Sequence, residues 1–349
     1  VLNFIGGEHR PAASGEWLDN VEPATGEIYG RLSRSGSEDV EAAVAAARKA
    51  FPAWRAWEPA DRRAVMMRLA DKIHENTAML AEAEARDSGK PVSLAAMVDI
   101  PRAEDNLRFY GSAAEQFSSE SHAMGNGTVN YTLRKPLGVV ACISPWNLPL
   151  YLFTWKIAPA LASGNCILAK PSEVTPMTAY LLSKWIKESG FPDGVFNVLH
   201  GLGPEVGQAM VEHHHVRAIS FTGGSSTGAA ISATAGPKFK KLSLELGGKN
   251  ATVVFDDANF DTAVSTAIRA AYSNQGQICL CGSRILVQEN IYERFRDAMV
   301  AKVSKMRIGD PMNPETKMGA VVSRAHRDKV ISAINIARGE GGQILCGGG

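Results

Sequence analysis

From Leu137 onward, short runs rich in β-branched residues alternate with stretches of helical periodicity. Six runs follow this alternation: residues 139–143, 166–169, 195–199, 218–221, 242–246 and 252–255. A further strand at 284–287 and a helix over 291–303 extend it. Strands that alternate with helices are typical of βαβ units, whose crossovers make neighbouring strands parallel. The pattern therefore predicts the α/β class with a parallel sheet.

The amino-terminal third has a different pattern. Apolar residues recur three and four positions apart over residues 37–57, 60–87 and 92–117, which predicts three helices. A polar segment at 118–127 leads into residues 128–134, whose alternation predicts an exposed strand and a bridging β-hairpin. We therefore expect a largely helical first third.

Charge and composition exclude several classes of protein. With 37 Lys and Arg residues against 36 Asp and Glu residues, the formal charge is only +1, so no general field attracts nucleic acid or anionic lipid. No run of about 18 apolar residues occurs, and the first seven residues lack a basic, then apolar, leader. Five cysteines are too few for a disulfide scaffold, which favours a reducing compartment. We expect a cytoplasmic protein without nucleic-acid or membrane partners.

Two glycine-containing segments suggest a phosphate site. Residues 221–228 follow a predicted strand and open an apparent helix, where backbone N–H groups can face a pyrophosphate. Gly203 and Gly207 lie in a second, loosely similar loop. Neither loop has strict Rossmann spacing, and Ala229 and Ala230 replace the Lys and Ser/Thr of a P-loop. Taken alone, residues 221–228 are explained at least as well by an ordinary tight turn as by a nucleotide site.

Polar residues also follow two other predicted strands, where doubly wound sheets bind ligands. Asn147, in segment 143–149, can donate its amide to a developing oxyanion, a contribution often worth about 3 kcal/mol. The alternative is a proline-rigid turn with a self-capping asparagine. Lys170 can hold cofactor hydroxyls or phosphate, and Glu173 can accept from a ribose; either residue is also explained as a solvated loop charge.

A glutamate and a cysteine 34 positions apart have the residue types of a base and a nucleophile. They are Glu245 and Cys279. Cysteine attacks carbonyl carbon well because a useful fraction is thiolate near neutral pH, and a nearby carboxylate can activate the water that later releases the acyl group. The pair predicts covalent thioester chemistry, for which no metal is needed.

Together these motifs resemble those of the NAD(P)-dependent aldehyde dehydrogenases, in the same order and over essentially the whole chain. The segments that carry the resemblance are 145–147, 170–173, 221–228, 245–249 and 276–279. It implies a Rossmann-like doubly wound parallel sheet, a second α/β catalytic domain and a bridging hairpin used in forming a homo-dimer or homo-tetramer.

The domain boundaries expected from this resemblance follow the change of pattern near residues 247–248. Residues 1–117 and 136–246 are expected to form the NAD-binding domain. Residues 118–135 are expected to form the hairpin, and residues 247–349 an incomplete catalytic domain.

The resemblance also implies roles for individual residues. Cys279 matches the nucleophile, Glu245 the general base and Asn147 the oxyanion donor. Cofactor contacts are expected from Ile143, Ser144, Pro145, Trp146, Lys170, Ser172, Glu173, Gly203, Gly207, Phe221, Thr222, Gly223, Gly224, Thr227, Leu246 and Gly247.

The implied reaction has two chemical stages at one cysteine. Cys279 adds to the aldehyde, hydride passes to the nicotinamide ring, and water activated by Glu245 hydrolyses the thioester to a carboxylic acid. A carboxylate at Glu173 accepts from a ribose 2′-hydroxyl but repels a 2′-phosphate. NAD is therefore expected in preference to NADP.

Three segments are similar to the branch that acts on 2-aminomuconate or 2-hydroxymuconate semialdehyde: residues 99–102, 155–159 and 278–281. Within the first segment, Arg102 can grip a substrate carboxylate with a bidentate fork. An equally good interpretation is a helix-surface arginine paired with Asp99 or Glu104.

Aromatic residues near this region can line an acyl tunnel. They are Tyr151, Phe153 and Trp155. Aromatic side chains near a helix are more often simply part of a core.

The ends of the chain depart from the family pattern. The sequence lacks an initiator methionine and ends before the downstream Glu-x-Phe-Gly-Pro-type segment that helps hold the nicotinamide ribose. We therefore expect a truncated chain. The alternatives to semialdehyde oxidation are a noncatalytic NAD-binding fragment and a dehydrogenase for an aliphatic, aromatic or retinal-like aldehyde.

Overall fold

The computed structural model describes residues 1–349 and contains thirteen strands. The strands are β1 (Asn3–Ile5), β2 (Glu8–Arg10), β3 (Trp17–Val21), β4 (Ile28–Ser33), β5 (Ser121–Ala123), β6 (Val129–Tyr131), β7 (Val139–Ile143), β8 (Cys166–Lys170), β9 (Phe196–Val198), β10 (Val216–Gly223), β11 (Lys241–Leu246), β12 (Ala251–Val254) and β13 (Arg284–Val287).

Twelve α-helices accompany them. The helices are α1 (Ser37–Trp54), α2 (Pro59–Glu75), α3 (Thr77–Ser88), α4 (Val92–Leu94), α5 (Ile100–Ala113), α6 (Pro149–Ala162), α7 (Met177–Ser183), α8 (Gln208–Glu212), α9 (Ser225–Ala235), α10 (Phe260–Tyr272), α11 (Glu289–Val303) and α12 (Arg324–Gly339). Two π-helical turns, Ala95–Asp99 and Gly203–Gly207, and short 3₁₀ turns complete the helical structure. No helix is both long and apolar enough to cross a membrane.

The main sheet has seven strands in the order β11-β10-β7-β8-β9-β1-β2. The strands from β7 to β11 are mutually parallel, which confirms the predicted α/β class with a parallel sheet. The strand order grows outward in both directions from the β7–β10 pair. In doubly wound sheets this reversal opens a crevice at the carboxyl ends of the two strands, where ligands bind.

Helices cover both faces of this sheet. Side chains alternate between the faces along a strand, so Cys142 and Ile143 of β7 point in opposite directions. The Cys142 sulfur contacts the Lys156 carbonyl of α6 at 3.6 Å. Lys170, which is paired with Ile143, packs beside Gly207 at the start of α8. The core between these layers contains 49 buried residues.

A second, smaller α/β unit follows the last strand of the main sheet. Strands β12 and β13 are parallel and pack against α10 and α11. Four buried residues form its core: Val254, Val264, Ala267 and Phe295. Residues 247–250 connect the two α/β units and belong to neither sheet.

The expectation of a largely helical first third is wrong for its first 33 residues, which form β1 to β4. β1 and β2 are only three residues long, and all three residues of β1, which pairs with β9 in the main sheet, are buried. A strand that is covered on both faces has no alternation, so the period-2 signal that identifies strands is missing.

The predicted helix over residues 60–87 is wrong as a single element. It divides at Asn76, whose φ of −114° and ψ of 22° are not helical. The Asn76 side chain donates to the Lys72 carbonyl at 2.8 Å, so it satisfies a carbonyl at the end of α2. The predicted helix over 92–117 is confirmed as a nearly continuous helical segment from Val92 to Gln116. The predicted hairpin is present as β5 and β6.

Candidate active site

The residues expected to contact a cofactor lie at one edge of the main sheet. Residues 143–146 begin at the last residue of β7, and residues 170–173 begin at the last residue of β8. The loop with Gly203 and Gly207 follows β9, residues 221–227 join β10 to α9, and residues 246–247 end β11. Because these strands are parallel, all five groups lie at their carboxyl ends, on both sides of the β7–β10 crevice.

Lys170 is buried and is therefore not the solvated loop charge considered above. It is 2% exposed, and its ammonium donates to Glu173 Oε2 and to the Pro171 carbonyl, both at 3.1 Å. A Cβ added at Gly207 would come 3.7 Å from the Lys170 stem. Ser144 Oγ, at the end of β7, is buried and has no hydrogen-bond partner. The edge thus combines a fixed cation, a half-buried carboxylate and an unsatisfied hydroxyl.

The turn from β10 to α9 leaves room above the first helical turn. A Cβ added at Gly224 would meet no atom within 4 Å. At Gly228 it would come 2.7 Å from Leu246, so this glycine allows α9 to approach the end of β11 closely. The free N–H groups at the start of α9 face this open space, which is a suitable position for an anion.

The loop that carries Cys279 has an uncommon backbone. Asn274, Gln275 and Gly276 all adopt left-handed conformations, with φ of 51°, 57° and 74°. Left-handed residues other than glycine cost free energy and are retained where the surrounding structure holds them. Here the Gln275 amide donates to the Ala320 carbonyl at 2.7 Å, and Gln277 Oε1 accepts from the Val322 N–H at 3.1 Å.

Asn147 lies directly against this loop. Its amide Nδ2 donates to the Gln277 carbonyl at 2.8 Å, two residues before the half-buried Cys279. Its own carbonyl accepts from Asn274 Nδ2 at 2.9 Å and from Lys90 Nζ at 3.0 Å. The self-capping interpretation of Asn147 is therefore wrong, because its amide binds a segment 130 residues away.

Glu245 projects from β11 opposite Thr222 of β10. Its carboxylate is exposed and makes no hydrogen bond or ion pair. Lys156, on α6, is buried within electrostatic reach of Glu245, and its ammonium lies 3.4 Å from Ser220 Oγ. Burial lowers the pKa of Lys156 to about 8, although Cys142 and Glu245 partly oppose the shift.

The segment that follows Glu245 is tied to the cysteine loop. Asn250 Nδ2 donates to the Cys279 carbonyl at 2.6 Å and to the Cys281 carbonyl at 3.3 Å. Cys281 is buried, and this burial raises the pKa of its thiol. Since the thiolate is the reactive form, this buried environment makes Cys281 a poor nucleophile.

Of the four residues considered for substrate contact, Arg102, Tyr151 and Trp155 lie together, whereas Phe153 is buried in the main core. The Arg102 guanidinium lies over the Tyr151 ring at 5.4 Å, and that ring meets Trp155 edge-on at 5.5 Å. Arg102 pairs with neither Asp99 nor Glu104; its nearest carboxylate is that of Asp105, at 4.0 Å.

Sequence reasoning missed residues that hold the site together. Lys90, Asn250 and Asn274 position backbone atoms of the Asn147 and Cys279 segments, and Lys156 lies near Glu245. Gly89 before Lys90 and the Asn-Gln-Gly sequence before Gln277 are signals of turns, but they do not indicate which segment a turn will contact.

Comparison with known proteins defines the class. The model of the aldehyde dehydrogenase family matches residues 9–349. The chain belongs to the aldehyde dehydrogenase family, and it is an oxidoreductase of that class.

Particular relatives are similar over the whole chain. The 2-aminomuconic semialdehyde dehydrogenase of Bos taurus is 49% identical over 348 residues, which cover 99% of this chain and 71% of the relative. The 2-hydroxymuconic semialdehyde dehydrogenase of Pseudomonas sp. strain CF600 is 40% identical and covers 100% of this chain and 73% of the relative. The crystal structure of PnpE in complex with nicotinamide adenine dinucleotide has a TM-score of 0.97 at 42% identity, covering 99% of this chain and 71% of that one.

Proposed function

We propose that this protein oxidises an aldehyde to a carboxylic acid with NAD, through a thioester on Cys279. The observation that carries the proposal is the hydrogen bond from the Asn147 amide to the Gln277 carbonyl, two residues before Cys279. It supports an oxyanion donor beside a half-buried thiol, at the sheet edge where cofactors bind in this class of fold.

In the first stage the Cys279 thiolate adds to the aldehyde carbon and the carbonyl oxygen becomes an oxyanion. Asn147 Nδ2 has two N–H groups, and only one is used by Gln277. The Cys279 N–H makes no hydrogen bond within the chain, so it is a second available donor. Donors that are already oriented stabilise the developing charge without reorganisation.

The residues at the sheet edge fit a dinucleotide. Lys170 and Glu173 offer a cation and an acceptor for ribose hydroxyls, and the open turn before α9 offers N–H groups for a pyrophosphate. NAD, when bound, supplies the acceptor for the hydride that leaves the aldehyde carbon. The similarity to a structure solved with this dinucleotide supports the same cofactor.

In the second stage a water molecule hydrolyses the Cys279 thioester. Glu245 acts as the general base: its carboxylate accepts the water proton, the carbonyl carbon gains the oxygen, and the thiolate leaves. Its exposure and lack of partners leave room for that water.

Cofactor choice is assigned to Glu173. Its carboxylate is partly exposed, with 33% of the side chain accessible, and is held by Lys170. A 2′-phosphate in this position would meet a like charge, so NAD is preferred. We expect Glu173→Gln to raise kcat/KM for NADP relative to NAD by about tenfold or more, since like charges brought together cost several kcal/mol. An unchanged ratio would contradict this assignment.

A carboxylate-bearing semialdehyde, such as 2-aminomuconate semialdehyde, is the proposed substrate class. Arg102 supports it because its guanidinium is only weakly paired, at 4.0 Å from Asp105, and lies beside Tyr151 and Trp155. The names of the bovine and bacterial relatives point to the same class.

Domain organisation and assembly are also proposed. Residues 1–117 and 136–246 form the NAD-binding domain, residues 118–135 the hairpin and residues 247–349 the catalytic part. The strands of the hairpin are exposed throughout, including Val129 and Tyr131, which supports pairing with a second copy in a homo-dimer or homo-tetramer. We assign the protein to the cytoplasm because its five cysteines are all free.

The test is NADH formation with 2-aminomuconate semialdehyde, a stable hydroxymuconate analogue and a neutral aliphatic aldehyde. Activity should vanish in Cys279→Ala. Arg102→Ala should lower the rate of NADH formation only with the carboxylated substrates. Arg108→Ala is the matched control, because two carboxylates already pair that arginine, at 2.7 and 2.8 Å. Dinucleotide binding without Cys279-dependent turnover would indicate a noncatalytic protein and overturn the proposal.

A further inference from the structure

A buried cluster of three charged side chains lies behind the Asn147 segment. Glu84, Lys90 and Asp99 are 0%, 1% and 1% exposed. The Lys90 ammonium donates to Asp99 Oδ2 and lies 3.5 Å from Glu84 Oε1. Burying charged groups is costly, and such clusters are weak evidence for stability. Their contacts outside the cluster are therefore more informative.

The cluster holds the junction between the β7–α6 turn and the start of α6. Lys90 Nζ donates to the Asn147 carbonyl at 3.0 Å. Glu84 Oε2 accepts from the Leu150 N–H at 3.1 Å, in the first turn of α6. One buried cluster thus fixes Asn147, near the end of the turn, and the first turn of the helix that follows it.

Two backbone features bring the cluster together. Gly89 ends α3 in a left-handed conformation, with φ of 75°, and a Cβ there would come 2.6 Å from the Ala320 carbonyl. The π-helical turn Ala95–Asp99 then places Asp99 inside rather than on the helix surface. Single π-turns are rare and occur often at functional sites.

The charges of the cluster can balance. Two carboxylates and one ammonium carry a net negative charge when all are ionised. Burial raises the pKa of Glu84, and the neighbouring Asp99 raises it further, against the opposing effect of Lys90. A proton held by Glu84 leaves one carboxylate facing the ammonium, which donates to Asp99 and to the Asn147 carbonyl and lies 3.5 Å from Glu84 Oε1.

We propose that Lys90, held by Glu84 and Asp99, is a positioning residue that aims the Asn147 amide at the oxyanion site beside Cys279. This inference rests on the proposed function. Lys90 fixes the backbone of Asn147 from one side while Gln277 receives its side-chain amide on the other. Lys90 therefore acts on acyl transfer to Cys279 through Asn147, and not on the reactivity of the thiol.

The test uses an activated ester, so that it needs no cofactor. With p-nitrophenyl acetate, the Cys279 sulfur forms a thioester and p-nitrophenolate leaves, which gives an absorbance signal for the step that needs oxyanion donors. Alkylation of Cys279 by iodoacetamide forms no oxyanion and serves as the control reaction. Both are measured on purified protein, with Cys279→Ala as the blank.

The variants separate charge from contact. Lys90→Met leaves Asp99 buried without a counterion and is expected to unfold more easily. Lys90→Met combined with Asp99→Asn removes both charges of the ion pair, so no unpaired charge is left buried and the variant is expected to fold. Arg62→Met is the matched control: Arg62 is another buried cation, 8% exposed, that donates to the Ala162 carbonyl at 3.0 Å. Thermal unfolding of each variant is measured in parallel.

We expect the combined Lys90→Met and Asp99→Asn change to slow acylation about tenfold, as for loss of about 1.4 kcal/mol of transition-state stabilisation. Alkylation should stay within about twofold, and the Arg62→Met protein should acylate like the unmodified one. In an Asn147→Ala background the same change should have less than about a twofold effect, because residues that act as a unit are not additive.

A full tenfold loss in the Asn147→Ala background would overturn the inference, because Lys90 would then act independently of Asn147. Unchanged acylation in the combined variant, or parallel losses in alkylation or in Arg62→Met, would also overturn it by indicating no role or general destabilisation. Absence of Cys279-dependent acylation in the unmodified protein would instead overturn the proposed function, and this inference with it.

Discussion

The loop that carries Cys279 and the strand end that carries Glu245 are held in opposite ways. Three successive left-handed residues precede Gln277, and side chains of the loop bond to backbone atoms near Asn147 and Val322. Glu245 extends from the edge strand of the main sheet, is exposed and has no hydrogen-bond partner.

This difference corresponds to what each stage of the proposed reaction requires. Oxyanion stabilisation depends on donors that are oriented before charge develops, so Asn147 and Cys279 need a fixed relation. A general base that acts through water needs space for that water and reach to the thioester. The restrained loop therefore suits the first stage, and the unrestrained carboxylate suits the second.

Replacement of Glu245 tests this division with the largest expected effect. Glu245→Gln keeps the shape of the side chain but removes the base, and should lower steady-state turnover by about 10² to 10⁴-fold. The first turnover should remain, so rapid mixing should still give an NADH burst near one equivalent per Cys279. If the burst amplitude falls by the same factor as steady-state turnover, Glu245 also acts in the first stage, and the assignment of Glu245 to the second stage alone is contradicted.

Replacement of Asn147 should have the opposite signature. Asn147→Ala removes one oxyanion donor, a change that costs about 10² to 10³-fold. The loss should fall on the rate of the NADH burst, with Cys279 alkylation by iodoacetamide close to that of the unmodified protein. If alkylation falls equally, Asn147 supports the loop and not the oxyanion.

The sequence predicted the part of this site that depends on local pattern. Each expected cofactor segment leaves a strand end, and parallel strands bring such ends to one edge whatever lies between them. Lys90 and Asn274 could not be found in this way, because they contact Asn147 across 57 and 127 residues. Their role depends on how two loops meet, and Gly89 or Gly276 indicates a turn without indicating its partner. Strand β1 was not predicted for a different reason: its three residues are all buried, so they show no alternation of apolar and polar side chains.

Asn274 provides a finer test of the restrained loop. Asn274→Gly keeps a residue suited to the left-handed backbone but removes the amide that donates to the Asn147 carbonyl at 2.9 Å. We expect acylation to slow about fivefold, which corresponds to loss of one hydrogen bond of about 1 kcal/mol. Asn274→Ala should be less stable than Asn274→Gly by about 1 kcal/mol, because alanine is disfavoured in this conformation. Equal urea-unfolding free energies for the two variants would show that the left-handed backbone is not retained.

The smallest expected effect concerns Lys156, the buried cation near the unrestrained base. Unfolded chains hold the lysine proton up to about pH 10.4, whereas burial lowers the pKa of Lys156 in the folded protein to about 8. Between these values the unfolded state binds more protons, so this group makes stability rise with pH. Relative to Lys156→Met, the free energy of unfolding in urea should therefore increase by about 1 kcal/mol from pH 7 to pH 9. A flat difference over that range would contradict the lowered pKa, because Lys156 would then keep its charge throughout and a fixed cation would lie beside the unrestrained base.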